Sequence, residues 1–324
     1  MICPNSAKSG IKPLSQLQHP REVIRQFTPN WFAATMGTGV LALALAQLPV
    51  AIPGLHAVAE GLWLFNILLF TLFTFAYAAR WVLFFDEARR IFGHSTVSMF
   101  FGTIPMGLAT IINGFLLFGL PRWGEGVIHL ADAHAQLVVL TTSYVLWAFS
   151  LPVAFSILTI LLLRMALHKL PHENMAASSW LALGPIGTGA LGMLLLGSDA
   201  PAIFAANGLR GIGEIAAGLG LIAGITLWGF GLWWMLMALL ITARYLRDGI
   251  PFNLGWWGFT FPLGVYSLAT LKLASTLNLG FFSVVGCVLV TLLAVMWLIV
   301  GKRTVQGAWR GELFVSPCIA GLKK

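Results

Sequence analysis

Charged side chains are scarce in this sequence. Only 9% of its 324 residues are Asp, Glu, Lys or Arg, whereas soluble proteins carry about 25%. Hydrophobic residues make up 58% of the chain, and the mean hydropathy is +0.88. No water-soluble core can hide that much apolar surface, so the composition excludes a soluble domain.

Cysteines are few, and nucleotide-binding motifs are missing. The three cysteines lie far apart and form no CxxC pair, which indicates neither a disulfide framework nor a zinc site. The sequence has no Walker A motif, so ATP-driven transport is not supported. His129, Asp132 and His134 are close in sequence, but further ligands are missing, and we interpret them as a solvated surface. We therefore predict no metal, no cofactor and no enzymatic activity.

Apolar runs long enough to cross a hydrocarbon core of about 30 Å recur through most of the chain. They predict an all-α, polytopic transmembrane helical bundle with about eight spans. The spans are expected near 31–49, 58–85, 97–118, 133–168, 175–197, 208–246, 254–276 and 279–301. Two of them, 133–168 and 208–246, are long enough to be pairs of short helices, which would give ten spans. The region around Pro152 offers a kink residue but no polar turn, which favours a single tilted helix there.

The basic residues indicate how the chain is oriented. The formal net charge is +8, and most Lys and Arg residues fall inside if both termini are cytosolic. They lie at span ends instead of forming one stripe, so no nucleic-acid partner is predicted. The first 30 residues lack the features of a signal peptide. We expect a cytosolic tail over 1–30, a transmembrane transport domain over 31–301 and a second cytosolic tail over 302–324, all at the inner (cytoplasmic) membrane of the cell.

The four outward spans share small or helix-disturbing residues near mid-membrane. These are Gly37-Thr38-Gly39, Gly102 to Gly107, Gly184 to Gly189 and Phe259 to Gly264. Broken backbone within a bilayer must be buried in protein or face water, so these interruptions predict the lining of a pathway. The alternative is that the glycines only let helices pack closely. The threonines in these motifs offer hydroxyl groups to an anion, or bond back to their own helix carbonyls.

The same motifs carry a family resemblance. The matching stretches are Phe27–Phe32, Met36–Gly39, Gly102–Asn113, Leu183–Gly189, Trp256–Gly264 and Gly307–Phe314. They resemble the tellurite-resistance/dicarboxylate transporter family, which includes slow anion channels, malate permeases and sulfite efflux pumps, and they are nearest the malate and sulfite branch. The resemblance implies ten helices in five hairpins around a central pore, homotrimers, and a phenylalanine of the ninth helix that plugs the pore.

That resemblance identifies Phe261 as the pore gate. The pore-lining candidates are Thr38, Gly39, Thr103, Gly107, Gly187, Thr188, Gly189, Thr260 and Pro262. One helical pair of the family is missing, because the chain passes from Pro121 to Asp132 with no room for two helices. The predicted function is a secondary transporter or channel for small anions, with C4-dicarboxylates such as malate first and sulfite or tellurite next. The alternative is a truncated, transport-incompetent membrane protein that acts as an assembly or interaction partner.

Overall fold

The computed structural model describes residues 13–17, 19–93, 97–119, 132–167 and 176–314. Within these ranges the chain is helical and contains no strand. The helices are α1 (Glu22–Arg25), α2 (Phe32–Ala46), α3 (Leu55–Leu83), α4 (Phe85–Arg90), α5 (Thr103–Gly114), α6 (Ala133–Leu167), α7 (Ser178–Leu181), α8 (Leu183–Ala206), α9 (Arg210–Asp248), α10 (Thr260–Leu277) and α11 (Gly280–Arg310). A π-helical turn, Phe115–Gly119, extends α5.

Each predicted span contains one long helix, which confirms a polytopic helical bundle. Six helical stretches of the described chain are long and apolar enough to cross a membrane: 55–83, 98–119, 133–165, 178–206, 210–247 and 280–310. The two longest predicted spans are single helices, because α6 and α9 run without interruption and Pro152 lies inside α6. The bundle is therefore a set of antiparallel hairpins.

Two short helices, α2 and α10, lie at the centre of the bundle. α2 has 15 residues and α10 has 18. Every residue from Thr260 to Leu271 of α10 is buried, and Met36 is the only residue of α2 between Phe32 and Ala44 that is not. A helix surrounded by other helices can be short, because its ends are covered by protein.

The outward helices restart near one face of the bundle, which we call the N-terminal face because α2, α5, α8 and α10 begin there. A short helical turn precedes each of them: Pro29–Trp31, Ser98–Gly102, Ser178–Leu181 and Leu254–Phe259. Proline is the third residue of α5, α8 and α10, at Pro105, Pro185 and Pro262. The first turn of a helix has no partner for its N–H groups, so proline costs little there.

This arrangement corrects the predicted position of the interruptions. α2 is continuous through Gly37-Thr38-Gly39, and α8 is continuous through Gly184 to Gly189. A glycine within a helix costs only about 1 kcal/mol relative to alanine, which tertiary packing readily offsets. The breaks before Thr103 and Thr260 fall within the predicted motifs of α5 and α10, whereas the break of α8 lies before its motif, at Leu183.

The spanning helices pack in the order α5, α2, α10, α8. α3 and α11 lie against α2, α9 lies against α8, and α6 packs mainly on α8. The two ends of this series, α5 and α8, share no extensive packing within the described residues. The outward helices therefore form an arc and not a closed ring.

Segments near the two ends of the described chain meet at the N-terminal face. The backbone N–H of Leu14 donates to the carbonyl of Trp309 at 2.7 Å, and that of Gln16 donates to Arg310 at 3.1 Å. α11 extends to Arg310, beyond the predicted tail boundary at residue 301. The division into a transport domain and two tails remains a prediction.

Candidate functional site

Phe261 is the second residue of α10 and is 8% exposed. Among the described residues, no aromatic ring contacts it. Its neighbour Phe259 is held differently, because its ring meets those of Trp180 and Trp256, each at 5.8 Å between centroids. Of the two phenylalanines, Phe261 is the one whose ring can rotate without breaking an aromatic cluster.

Two methionines of the arc were not predicted as site residues. Met36 in α2 and Met106 in α5 are half-buried and pack against the core cluster that contains Phe261. Each directly precedes a glycine of the motif on its helix, Gly37 and Gly107. That shared Met-Gly step was the signal available in the sequence. Methionine is unbranched and adapts its shape, so it suits a position where packing must change.

The four threonines are engaged in hydrogen bonds. Thr188 donates to the carbonyl of Gly184 at 2.8 Å, and Thr260 donates to that of Trp257 at 2.8 Å. The Thr103 hydroxyl lies 2.6 Å from the Phe100 carbonyl oxygen and 2.8 Å from that of Pro29.

Thr38 accepts a hydrogen bond from the indole N–H of Trp297 in α11 at 2.9 Å. Of the four threonines, Thr38, Thr103 and Thr260 are buried and Thr188 is partly exposed. In this structure the hydroxyls therefore stabilise helix starts and helix contacts, and their role towards an anion remains a prediction.

The glycines of the motifs lie at close helix contacts. Gly39 faces the side chains of Thr110 and Asn66, and Gly107 faces the Thr35 hydroxyl. Asn66 Nδ2 donates to Thr110 Oγ1 at 3.3 Å and so links α3 to α5, whereas Asn113 is exposed.

The glycines of α8 contact three different helices. A Cβ atom on Gly187 would lie 2.9 Å from the backbone nitrogen of Tyr266 in α10. Gly189 faces Leu151 of α6 and Leu227 of α9. Pro262 is buried, with its ring close to Gly184. The structure thus brings Gly187 and Pro262 to the α8–α10 contact but directs Gly39, Gly107 and Gly189 towards other helices, and the pore-lining assignment as a set remains a prediction.

A buried arginine lies at the end of α3 on the N-terminal face. Arg80 is 0% exposed, and its Nη1 donates to the Phe27 carbonyl at 2.7 Å. Beside it is an aromatic clasp, which we define as Phe27, Trp31, Phe73 and Phe314: Trp31 stacks on Phe27 at 5.5 Å and on Phe314 at 4.9 Å. The positive-inside pattern predicted a basic residue at this end of the span, but not its burial.

A salt bridge joins the short helices α1 and α4 near the end of α3. Arg25 of α1 holds Glu87 of α4, with Nη2 and Oε1 2.6 Å apart and Nε within 3.0 Å of both carboxylate oxygens. The hydrogen bonds that Arg25 donates to Glu87, and then to Glu22, raise the pKa of Arg25 above its ordinary value. This pairing fixes α1 over the end of α3.

Metal ligands do not cluster in the described residues, where no three His, Cys, Asp or Glu side chains come together. The structure does not describe residues 120–131, which include His129, or the two histidines His168 and His172.

The sequence matches the family model described as a voltage-dependent anion channel over residues 26–133 and 123–305. The chain belongs to the voltage-dependent anion channel family. This confirms the family predicted from the motifs, and it makes the chain a multi-pass membrane protein of a family of anion transporters and channels.

Characterised and uncharacterised relatives cover nearly the whole chain. It is 31% identical to a sulfite efflux pump of Arthroderma benhamiae, covering 90% of this chain and 93% of that protein. It is 29% identical to an uncharacterized transporter of Methanocaldococcus jannaschii, covering 90% and 96%. Identity to a malic acid transport protein of Schizosaccharomyces pombe is 22%, covering 91% and 80%.

Both comparisons place an interruption inside the chain. The family match consists of two segments that meet and overlap at residues 123–133, which is where the sequence predicts the missing helical pair. The alignment with the sulfite efflux pump is 353 residues long, although it uses only 90% of this 324-residue chain. That relative therefore has residues with no counterpart here.

Proposed function

We propose that this protein moves small oxyanions across a cytoplasmic membrane, with sulfite as the first substrate and malate as the second. The chain aligns with almost the whole of a sulfite efflux pump at 31% identity. This supports placing sulfite before malate, although the motifs suggested malate first. The lower identity to a malic acid transport protein keeps dicarboxylates second. The proposed role is transport and not enzymatic catalysis.

The observation that carries this proposal is the state of Phe261. Its ring is nearly buried at the start of α10, in the core cluster that Met36 and Met106 also contact, yet it has no aromatic partner among the described residues. An apolar constriction closes a conduit by excluding water, and rotation of one ring is enough to open it. We assign Phe261 as the gate, with the two methionines packed against the same core cluster.

The helix starts supply a favourable potential for anions. α5, α8 and α10 all begin near the N-terminal face, and each helix carries a partial positive charge at its start. Half-helix starts of this kind face anionic substrates in membrane transporters. Because no fixed charge is needed, an anion can be attracted without being trapped.

The basic side chains support a cytosolic N-terminal face. Arg89, Arg247 and Arg303 are exposed at helix ends on this face. The positive-inside rule places such residues in the cytosol. We therefore propose cytosolic termini, the inner membrane as location and, from the family resemblance, a homotrimer.

A second candidate function is supported by the open side of the arc. α5 and α8 share no extensive packing in the described chain, and the interrupted family match lies between them. A conduit with a gap in its wall would leak or close. On this alternative the protein is a transport-incompetent relative that assembles with another membrane protein.

Proteoliposome flux separates the two candidates. Purified protein is reconstituted, and uptake of sulfite, malate and chloride is measured beside empty liposomes and liposomes that contain the Arthroderma benhamiae pump. We expect sulfite uptake above empty liposomes and above malate uptake. No flux of either anion through correctly inserted protein would reject the transport proposal in favour of the assembly role.

A further inference from the structure

Arg80 is a buried cation whose hydrogen-bonding capacity is mostly unused. A guanidinium group offers five N–H donors in a planar fork. One nitrogen, Nη1, is bound to the Phe27 carbonyl, but Nε and Nη2 are buried and have no hydrogen-bond partner. A buried charge without partners is costly, so the site favours a group that accepts hydrogen bonds.

No carboxylate of the described chain fills that role. None lies within ion-pair distance of Arg80 there. Glu87 interacts with Arg80 electrostatically, but its carboxylate oxygens are held by Arg25. The Nε and Nη2 donors of Arg80 therefore have no carboxylate partner among the described residues.

The surroundings of this guanidinium group are polar and lack partners too. The Tyr77 hydroxyl, one turn earlier on α3, is buried close to the Trp81 indole, and its proton has no acceptor. The indole N–H of Trp31 in the aromatic clasp is buried without a partner. The amide oxygens of Gln26 and Asn30, in the same N-terminal segment, also lack donors. Unpaired buried polar atoms are rare in native proteins. An anion would satisfy the donors of Arg80, Tyr77 and Trp31, whereas the two amide oxygens require a donor such as water.

We propose that Arg80 and Tyr77 form a binding site for a small oxyanion at the N-terminal face, distinct from the pathway closed by Phe261. The two places belong to different parts of the core: Arg80 contacts Phe27 of the aromatic clasp, whereas Phe261 belongs to the central cluster. The free Nε and Nη2 edge matches two oxygens of one anion, which is how arginine binds oxyanions. Chloride can accept from both donors only with one atom and bent hydrogen bonds, so it matches this edge less well than two parallel oxygens do.

The bound anion would join the ends of the protein. The Phe27 carbonyl bound by Arg80 belongs to the segment that also carries Trp31, whose ring stacks on Phe314. An anion on Arg80 therefore stabilises the contact between α3 and both chain termini. The site stands whether or not the chain transports.

Anion-dependent thermal stability tests this site. Unfolding midpoints of the purified protein in detergent are measured in sulfate, sulfite and chloride at equal ionic strength, since a ligand that binds only the folded state raises the midpoint. We expect sulfate and sulfite to raise the midpoint by several degrees more than chloride. Arg80→Gln should abolish this difference, and Arg247→Gln, which removes an exposed arginine, should retain it.

Each other outcome is decisive as well. Equal midpoints for the wild type in all three salts would mean that only water fills the site, and would overturn the proposal. An oxyanion effect that persists in Arg80→Gln would show that the stabilisation does not come from binding at Arg80, since sulfate also stabilises folded proteins by exclusion from their surface, and would overturn the proposal. If Arg80→Gln does not fold, Tyr77→Phe decides: the sulfate concentration for a half-maximal shift should rise at least threefold, and an unchanged value would refute the site.

Discussion

Phe261 and Phe259 differ by two positions in sequence and by their packing in the structure. We expect Phe261→Ala to increase sulfite flux severalfold, because it removes the ring from the constriction and leaves every observed aromatic cluster intact. Phe259→Ala should instead lower the free energy of unfolding by about 3 kcal/mol, since a buried ring between two tryptophans is lost. Liposome flux and thermal midpoints, normalised to inserted protein, measure both. Unchanged or lower flux in well-folded Phe261→Ala would show that the ring is ordinary packing.

Sequence reasoning separated these two phenylalanines only through the family resemblance. The residue type and spacing of Phe259 and Phe261 are equivalent, and their difference lies in Trp180, which is distant in sequence. For Arg80 the pattern of charge gave the correct end of the helix. The charge pattern could not predict that Arg80 is buried, because its burial depends on the segment around Phe27 that folds over the side chain.

At the scale of whole helices, the contact between α8 and α10 is limited by one glycine. A Cβ atom at Gly187 would approach the Tyr266 backbone nitrogen to 2.9 Å and its Cα to 3.2 Å, and backbone cannot rotate away. We expect Gly187→Ala to lower the free energy of unfolding by about 1–3 kcal/mol through overpacking. Thermal unfolding in detergent measures this.

Gly218 of α9 is the matched control for that substitution. It is exposed within a helix, and nothing lies within 4 Å of an added Cβ. Gly218→Ala should be neutral or stabilising by up to about 1 kcal/mol, from helix propensity alone. Equal losses in both variants would show that the α8–α10 contact does not depend on Gly187.

The helices themselves were predictable, but their starts were not. Hydropathy and length place all eight long helices, because a bilayer demands a nearly continuous apolar run. The interruptions were expected at motifs of small or helix-disturbing residues in all four helices. They occur within the motifs of α5 and α10, where proline enters the first turn, but not within those of α2 and α8, which are continuous helix. Glycine only permits a break, whereas proline fixes where a helix can begin.

For the whole molecule, the charge pattern predicts which loops face outside. In a chain whose cysteines are replaced by serine, Ile52→Cys, in the exposed loop between α2 and α3, should react with a membrane-impermeant thiol reagent in intact cells. Arg89→Cys in α4 should react only after permeabilisation. The reverse pattern would invert the proposed orientation, and with it the assignment of the N-terminal face to the cytosol.

The central position of α2 has a consequence for biogenesis. α2 precedes the other spanning helices of the described chain, yet two of its neighbours, α10 and α11, follow all the others. The segment at Leu14 and Gln16 likewise waits for Trp309 and Arg310 before its backbone is paired. Contacts so distant in sequence form slowly. The hairpin of α2 and α3 must therefore persist in the membrane with its inner surface uncovered until α10 and α11 have been synthesised, and a nascent chain that stalls before them would present that surface to quality control.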